Sequence, residues 1–300
     1  MDAEHGERER CGPDAAGAAF PAGGALAQAR DAVLARLGPG PYAGAVVLGS
    51  GLGALLEHWA VEGDVDVATI PGAPAPGIAG HRGRLARVSW GAARGLVFEG
   101  RVHFYEGRRR EEVTYAVRLA AALDARWVLL TNASGSVDRQ VPPGTIVVVE
   151  DHVRVFIGHR SAWGAVAGPR GTGSPYDGAR CEALFGALAG EGLRVRRGVL
   201  FGGLGPSYET AAEVEMIRRL GATVACMSTV IEAEEAARAG LEVAALSMVT
   251  NLATGLAAER LAHEDVVAAA RALAPAFARA VDRAVRGWSA GAGLSAPAGG

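Results

Sequence analysis

Short apolar runs that stop abruptly on glycine, serine or asparagine, each followed by a helical pattern, recur along this chain. AGAVVLG (43–49), GLVFEG (95–100), WVLLTN (127–132) and TIVVVED (145–151) have the length and β-branched content of buried strands. The second half repeats the scheme with RGVLFGG (197–203), TVACMS (223–228) and EVAALSMVTN (242–251). Strand and helix in alternation, with no break in composition, predict a single α/β domain with a mixed sheet flanked by helices. In such folds ligands bind where strands end and helices begin.

The helical segments are legible from their faces and caps. EEVTYAVRLAAALD (111–124) aligns Val113, Ala116, Val117, Ala120 and Leu123 on one side. Thr210 with Glu213, and Thr229 with Glu232, have capping-box spacing, and the second helix stops at Gly240. A last helix is expected over about 264–286, with Pro275 inside it. Residues 1–23 and 289–300 are polar or Gly/Ala-rich without period and are expected to be disordered, leaving 24–288 as the domain.

Bulk composition excludes several functions. The 300 residues carry a net charge of −2, and every basic residue is arginine, so no basic field suits a nucleic acid. Three scattered cysteines lack metal-ligand spacing and suit a reducing compartment. No apolar run reaches the roughly 20 residues that span a bilayer. The opening MDAEHGERER has no signal-peptide core, so a cytoplasmic location is expected.

Four strand ends carry candidate chemistry. Ser50 sits among Gly49, Gly51 and Gly53, where backbone amides and a helix start can meet an anion, although a plain tight turn explains the glycines equally well. The same segment has the G-x-G-x-x-A form of a dinucleotide turn, with Asp64 or Asp66 as the acidic partner. Arg101, His103 and Tyr105 alternate, so an extended backbone puts a cation, an imidazole and a phenol on one face, although a solvated edge strand explains the pattern equally well. Asn132 is followed by small residues that expose backbone amides, or it simply starts a turn. Glu209 and Ser228 each stand just before a helix start, and Met227 reads as core.

Taken in order, VVLGSGLG, GHRGRL, EGRVHFYEG, LLTNASGSV, GTIVVVEDHV, GPSYETAAEVEMIRRLGA, MSTVIEAEEAARAGLEV, SMVTN and HEDV resemble the trimeric class of purine nucleoside phosphorylases, which includes the methylthioadenosine phosphorylases. The resemblance implies an α/β fold around a distorted mixed sheet, a homotrimer, and a nucleoside and inorganic phosphate as substrates with no metal or organic cofactor. It implies phosphate held by Ser50, His81, Arg101, His103, the backbone of Ala133, and Ser228. Tyr105 and Met227 would meet the sugar and His263 its 5′ hydroxyl. Tyr208 would pack on the base, whose edge Glu209 and Asn251 would bind, so His103, Glu209 and Asn251 are the catalytic candidates. Adenine-preferring relatives carry Asp in place of Asn251, so the amide points to 6-oxopurines such as inosine and guanosine.

The chain also departs from the family pattern. Arg154 stands where Asn is usual, Phe156 is displaced from the aromatic that closes a neighbouring site, and Trp163 is a substitute for it. APGI replaces Ser-Thr before His81, Cys226 replaces a glycine, and Arg108 to Arg110 replace a Gly-Tyr turn and read as a solvated loop. These changes leave room for an adenine or 5′-modified nucleoside as substrate, or for a non-catalytic nucleoside-binding paralogue.

Overall fold

The computed structural model describes residues 24–74, 83–154, 173–256 and 263–290, with the side chains of the last segment described from 274. Helix α1 (Ala25–Leu37) leads into β1 (Gly44–Leu48), a five-residue strand buried throughout. A single helical turn, α2 (Ala54–Glu57), the edge strand β2 (Val61–Asp66) and its neighbour β3 (Arg84–Trp90) follow. Strand β3 turns back as β4 (Ala93–Glu99), the antiparallel partner that carries the chain to Arg101.

The expected helix over 111–124 is two pieces, α3 (Arg110–Val113) and α4 (Tyr115–Ala122). Thr114 separates them, with its hydroxyl donating to the Arg110 carbonyl at 2.8 Å, a bond that competes with the helix ladder. Strand β5 runs Trp127–Ser136, so the small residues after Asn132 extend the strand instead of forming a turn. Then come β6 (Ile146–Val153), α5 (Gly178–Gly190), β7 (Val195–Gly202), α6 (Ala211–Arg219), β8 (Val224–Cys226), α7 (Thr229–Arg238), β9 (Glu242–Leu252) and α8 (His263–Ala290).

The nine strands form one mixed sheet in the order β2-β3-β4-β1-β5-β8-β7-β6-β9, and β9 returns to pair in parallel with β5 along its length. Five strands therefore close a ring, and β1, β4, β3 and β2 extend from it as an open wing. Strand β5 serves both parts. Its first half pairs with β1 and its last two residues, Gly135 and Ser136, pair with β8. Pairing β9 with β5 removes the edge at β9 and brings the ends of β5, β7, β8 and β9 to one place.

The wing is held by aromatic packing. Trp90 stacks on Trp127 at 5.0 Å, Trp59 meets Trp90 edge-on at 5.5 Å, and Trp288 of α8 meets Trp127 edge-on at 5.0 Å. Gly44 and Gly95 make room for this stack, since a Cβ there would lie 2.1 and 2.0 Å from the Trp127 and Trp90 rings. No described helix is long and apolar enough to cross a membrane.

Candidate active site

Helix α7 organises the site. All of its first eight residues, Thr229 to Ala236, are buried, three acids among them. Ser228 is its N-cap residue by position, yet its side chain makes no cap bond. Instead the Arg101 Nη1 donates to the Ser228 Oγ at 3.1 Å, and Nη2 donates to the Val47 carbonyl at 3.2 Å. The capping box expected from Thr229 and Glu232 is therefore absent. Thr229 Oγ1 accepts from Asn132 Nδ2 at 2.9 Å, and Glu232 faces Arg101. The Thr210–Glu213 box is present as expected, with both reciprocal bonds made.

Arg101 is thus pinned between the end of β1 and the start of α7, and it is only 5% exposed. His103, also buried, adopts an extended backbone and opens a short 3-10 turn over Phe104–Glu106. Its Nδ1 lies 3.1 Å from Glu106 Oε1, which also accepts the His103 backbone N–H at 2.7 Å. A carboxylate there holds the proton on Nδ1 and leaves Nε2 as the acceptor of the neutral ring. Burial, then the Arg101 charge, lowers the His103 pKa from its ordinary value. The Tyr105 ring stacks on that imidazole at 4.8 Å, and burial raises the Tyr105 pKa. The alternation of 101, 103 and 105 therefore gathers all three side chains, although by a 3-10 turn and not by a strand.

Ser50 follows β1 on an exposed turn, where Gly51 has φ +78°, a left-handed conformation that favours glycine. Gly49 before it donates to Thr131 Oγ1 at 3.0 Å, which ties this turn to β5 beside Asn132 and Ala133. Ser50, Arg101, Asn132, Ala133 and Ser228 consequently border one region at the mouth of the ring. Donors, one guanidinium and a helix start converge there, an arrangement suited to an oxyanion.

The other residues line up beyond it. Met227 and Tyr105 approach Gly205 so closely that a Cβ on that glycine would meet the Met227 sulfur at 2.5 Å and the Tyr105 ring at 2.7 Å. The Gly203 N–H donates to the Cys226 carbonyl at 2.8 Å, and Glu209 Oε1 would lie 3.2 Å from a Cβ on Gly203. Asn251, at the end of β9, has Nδ2 3.3 Å from the corresponding position on Gly135, the residue that pairs with Ala225 of β8. Glu209 and Asn251 therefore flank the end of β8, one from the β7 side and one from the β5 and β9 side. Asn251 Nδ2 donates to the Leu252 carbonyl at 3.0 Å, which sets the amide orientation, and Oδ1 lies 2.9 Å from the Thr250 hydroxyl, whose single proton is shared with the Ser134 carbonyl at 3.2 Å. Tyr208 is 79% exposed at the rim.

His81, Phe156 and Trp163 lie outside the described residues. His263 is the first residue of α8, and its side chain is also outside them. Among the described residues no group of three or more His, Cys, Asp or Glu is arranged to hold a metal ion.

The reading of Arg108 to Arg110 as a solvated loop holds for the exposed Arg109 and is overturned at Arg110. Arg110 is buried and donates to Glu235 at 2.9 Å, and Arg108 pairs with Glu112 at 3.3 Å. Glu235 also holds Arg238, and these arginine hydrogen bonds bring its pKa below the usual value despite burial. Arg154 pairs with the third buried acid of α7, Glu234, at 2.9 Å, and His152 lies 3.4 Å from the same carboxylate. Glu106, Glu232, Glu234 and Glu235 were not singled out as site or supporting residues by sequence reasoning. Glu232, Glu234 and Glu235 form the acid run EAEE in a helix that looks solvated, and Glu106 lies in the HFYEG turn.

Comparison with known proteins decides the family. A family model described as the Phosphorylase superfamily matches residues 44–286. Purine nucleoside phosphorylase 1 of Geobacillus stearothermophilus is 34% identical over 250 residues, covering 80% of this chain and 89% of that protein. The purine nucleoside phosphorylase of Mycobacterium tuberculosis is 38% identical over 248 residues, covering 82% and 90%. The chain belongs to the purine nucleoside phosphorylase family. A crystal structure of isoform 2 of purine nucleoside phosphorylase from Schistosoma mansoni, in complex with cytosine and ribose-1-phosphate, superposes with a TM-score of 0.74 at 26% identity, over 90% of this chain and 97% of that one.

Family membership removes the dinucleotide reading, and the geometry gives the reason. The glycine turn after β1 leads into a helix of only four residues, too short to carry a dinucleotide helix start. Asp64 and Asp66 lie on the antiparallel edge strand β2, where Asp64 pairs with Arg84 at 3.9 Å and Asp66 caps the following turn.

Proposed function

We propose that this chain is a purine nucleoside phosphorylase that acts on 6-oxopurine nucleosides, inosine and guanosine above all, to give free base and pentose 1-phosphate. The observation that carries this reading is the 3.1 Å bond from Arg101 to Ser228 at one side of the β8 end, with Glu209 and Asn251 flanking that strand end. An anion and a purine can be held there at once, on opposite faces of a sugar.

In the proposed reaction a phosphate oxygen attacks C1′ as the C1′–N9 bond breaks, through a sugar with oxocarbenium character. The electron pair of the broken bond goes to the purine, which takes up a proton from solvent, while the proton that His103 accepts from hydrogen phosphate returns to solvent. Arg101, Ser50, Ser228, the Ala133 backbone and His81 hold the phosphate, which supplies both nucleophile and electrostatic stabilisation of the cation. Neutral His103 accepts the hydroxyl proton of hydrogen phosphate through Nε2. Tyr105 and Met227 pack the sugar, His263 binds its 5′ hydroxyl, and Tyr208 covers the base. Glu209 accepts from a ring N–H, and Asn251 donates the second Nδ2 hydrogen toward N7 and O6. The Leu252 carbonyl supports that last role, because it takes one Nδ2 hydrogen, orients the amide and leaves the other hydrogen for the ligand.

We also infer a homotrimer working in the cytoplasm, with phosphate as co-substrate and no metal or organic cofactor. The family resemblance supports these inferences, and sedimentation of the full chain tests the trimer. A panel of inosine, guanosine, adenosine and methylthioadenosine, assayed with and without phosphate, tests the substrate reading. Base release from the two 6-oxopurines that requires phosphate is the expected result. Preferential turnover of an adenine nucleoside would refute the assignment to Asn251.

A further inference from the structure

Glu232 lies one turn inside α7, 1% exposed, against the Nε flank of Arg101, while Nη1 meets Ser228. Its Oε1 is 3.3 Å from Arg101 Nε, the flank of the guanidinium opposite the substrate region. A buried carboxylate one turn behind an anion-binding helix start is costly twice over. It loses hydration, and it opposes the positive potential that the helix start offers to the anion. Burial accordingly raises its pKa, with Arg101 alone opposing. Neither carboxylate oxygen has a well-aligned hydrogen bond among the described residues, so its principal interaction there is the ion pair. Glu234 and Glu235, its neighbours on the same helix, are each held by two or more basic groups.

We propose that Glu232 is a positioning residue for phosphate: it holds the Nε flank of Arg101, so that the Nη edge stays on Ser228 and faces the anion. This rests on the phosphorolytic reading of the same site. The guanidinium is planar and its donors are fixed in a fork, so fixing one flank fixes the direction of the rest. Ser228 and the Val47 carbonyl then complete three-sided support at 3.1 and 3.2 Å. Without the carboxylate, Arg101 keeps its charge but loses its fixed edge, and phosphate binding loses more than nucleoside binding does.

The test compares the full chain with Glu232→Gln and Glu232→Asp, measuring inorganic phosphate affinity by calorimetry and both Michaelis constants with inosine. Glu232→Gln is expected to raise the phosphate Kd and the phosphate KM about tenfold while moving the inosine KM less than about twofold. Glu232→Asp, which keeps the charge on a shorter arm, is expected to recover part of that loss and decides the matter if the Gln variant does not fold. Unchanged or tighter phosphate binding overturns the proposal, because the carboxylate then acts only as a repelling charge. Equal shifts in both KM values also overturn it, since they mark a general structural role. If the unmodified chain binds phosphate but releases no base, the phosphorolytic reading fails while the calorimetric comparison still judges Glu232.

Discussion

The proposed anion side and the proposed base side of this site are built differently. Arg101, His103 and Ser228 are all buried, and each is fixed by a partner from another part of the chain or from its own turn. Glu209 and Asn251 are half-buried, and Tyr208 is largely exposed. The difference teaches that the cost of order has been met in advance on the anion side. A small, highly charged ligand gains little from adapting a pocket and much from donors already in place. A planar base with varied edges tolerates a looser frame, in which, on the proposed reading, the Asn251 amide and the Glu209 carboxylate select the base.

The largest break in this contrast should come from Arg101→Ala. It removes the guanidinium and strands Glu232 as a buried acid, so kcat/KM should fall about 1000-fold and stability by about 3 kcal/mol or more. Steady-state assays and denaturant unfolding measure both, and loss of one without the other would separate the two functions assigned to Arg101. On the base side, Asn251→Asp should leave stability nearly intact and shift the inosine-to-adenosine preference about 10- to 100-fold toward adenosine. An unchanged ratio of kcat/KM values would remove Asn251 from substrate choice. Tyr208→Ala should be milder still, raising the nucleoside KM about threefold with phosphate KM untouched, as suits one exposed stacking face.

The smallest effect concerns acid. His103 has a lowered pKa because of burial and Arg101, so the folded chain resists its protonation. Its contribution to stability is therefore complete above the ordinary value of 6.5 and declines as pH falls from there through the folded pKa. Glu232, with a raised pKa, acts in the opposite sense, so only the difference between the unmodified chain and His103→Gln isolates the histidine. That difference should shrink as the pH drops below 6.5, and a pH-independent difference would contradict the assigned cause.

The contrast also explains what the sequence disclosed. Ser50, Arg101, His103, Asn132 and Ser228 were legible because they sit at ends of apolar runs, where local pattern and site position coincide, whereas Asn251 was legible only through the family resemblance. Closure of the ring by β5 and β9 was not, since pairing across more than a hundred residues leaves no local trace. The buried acids of α7 were hidden for a related reason. A helix with Glu232, Glu234 and Glu235 spread over its faces looks solvated, and only the arrival of Arg101, Arg154 and Arg110 from elsewhere makes their burial affordable. Arg110 was misjudged by the same logic, as one of three consecutive arginines whose shared charge says nothing of which turns inward. The second capping box failed because Glu232 had a stronger partner than the helix start.

The central claim is that phosphate, not water, takes the sugar. Phosphorus NMR of the full chain with inosine and one equivalent of inorganic phosphate tests it directly. The account predicts that the phosphate resonance declines as a sugar-phosphate resonance grows, mole for mole with free hypoxanthine. Hypoxanthine released while the phosphate resonance stays unchanged would contradict it.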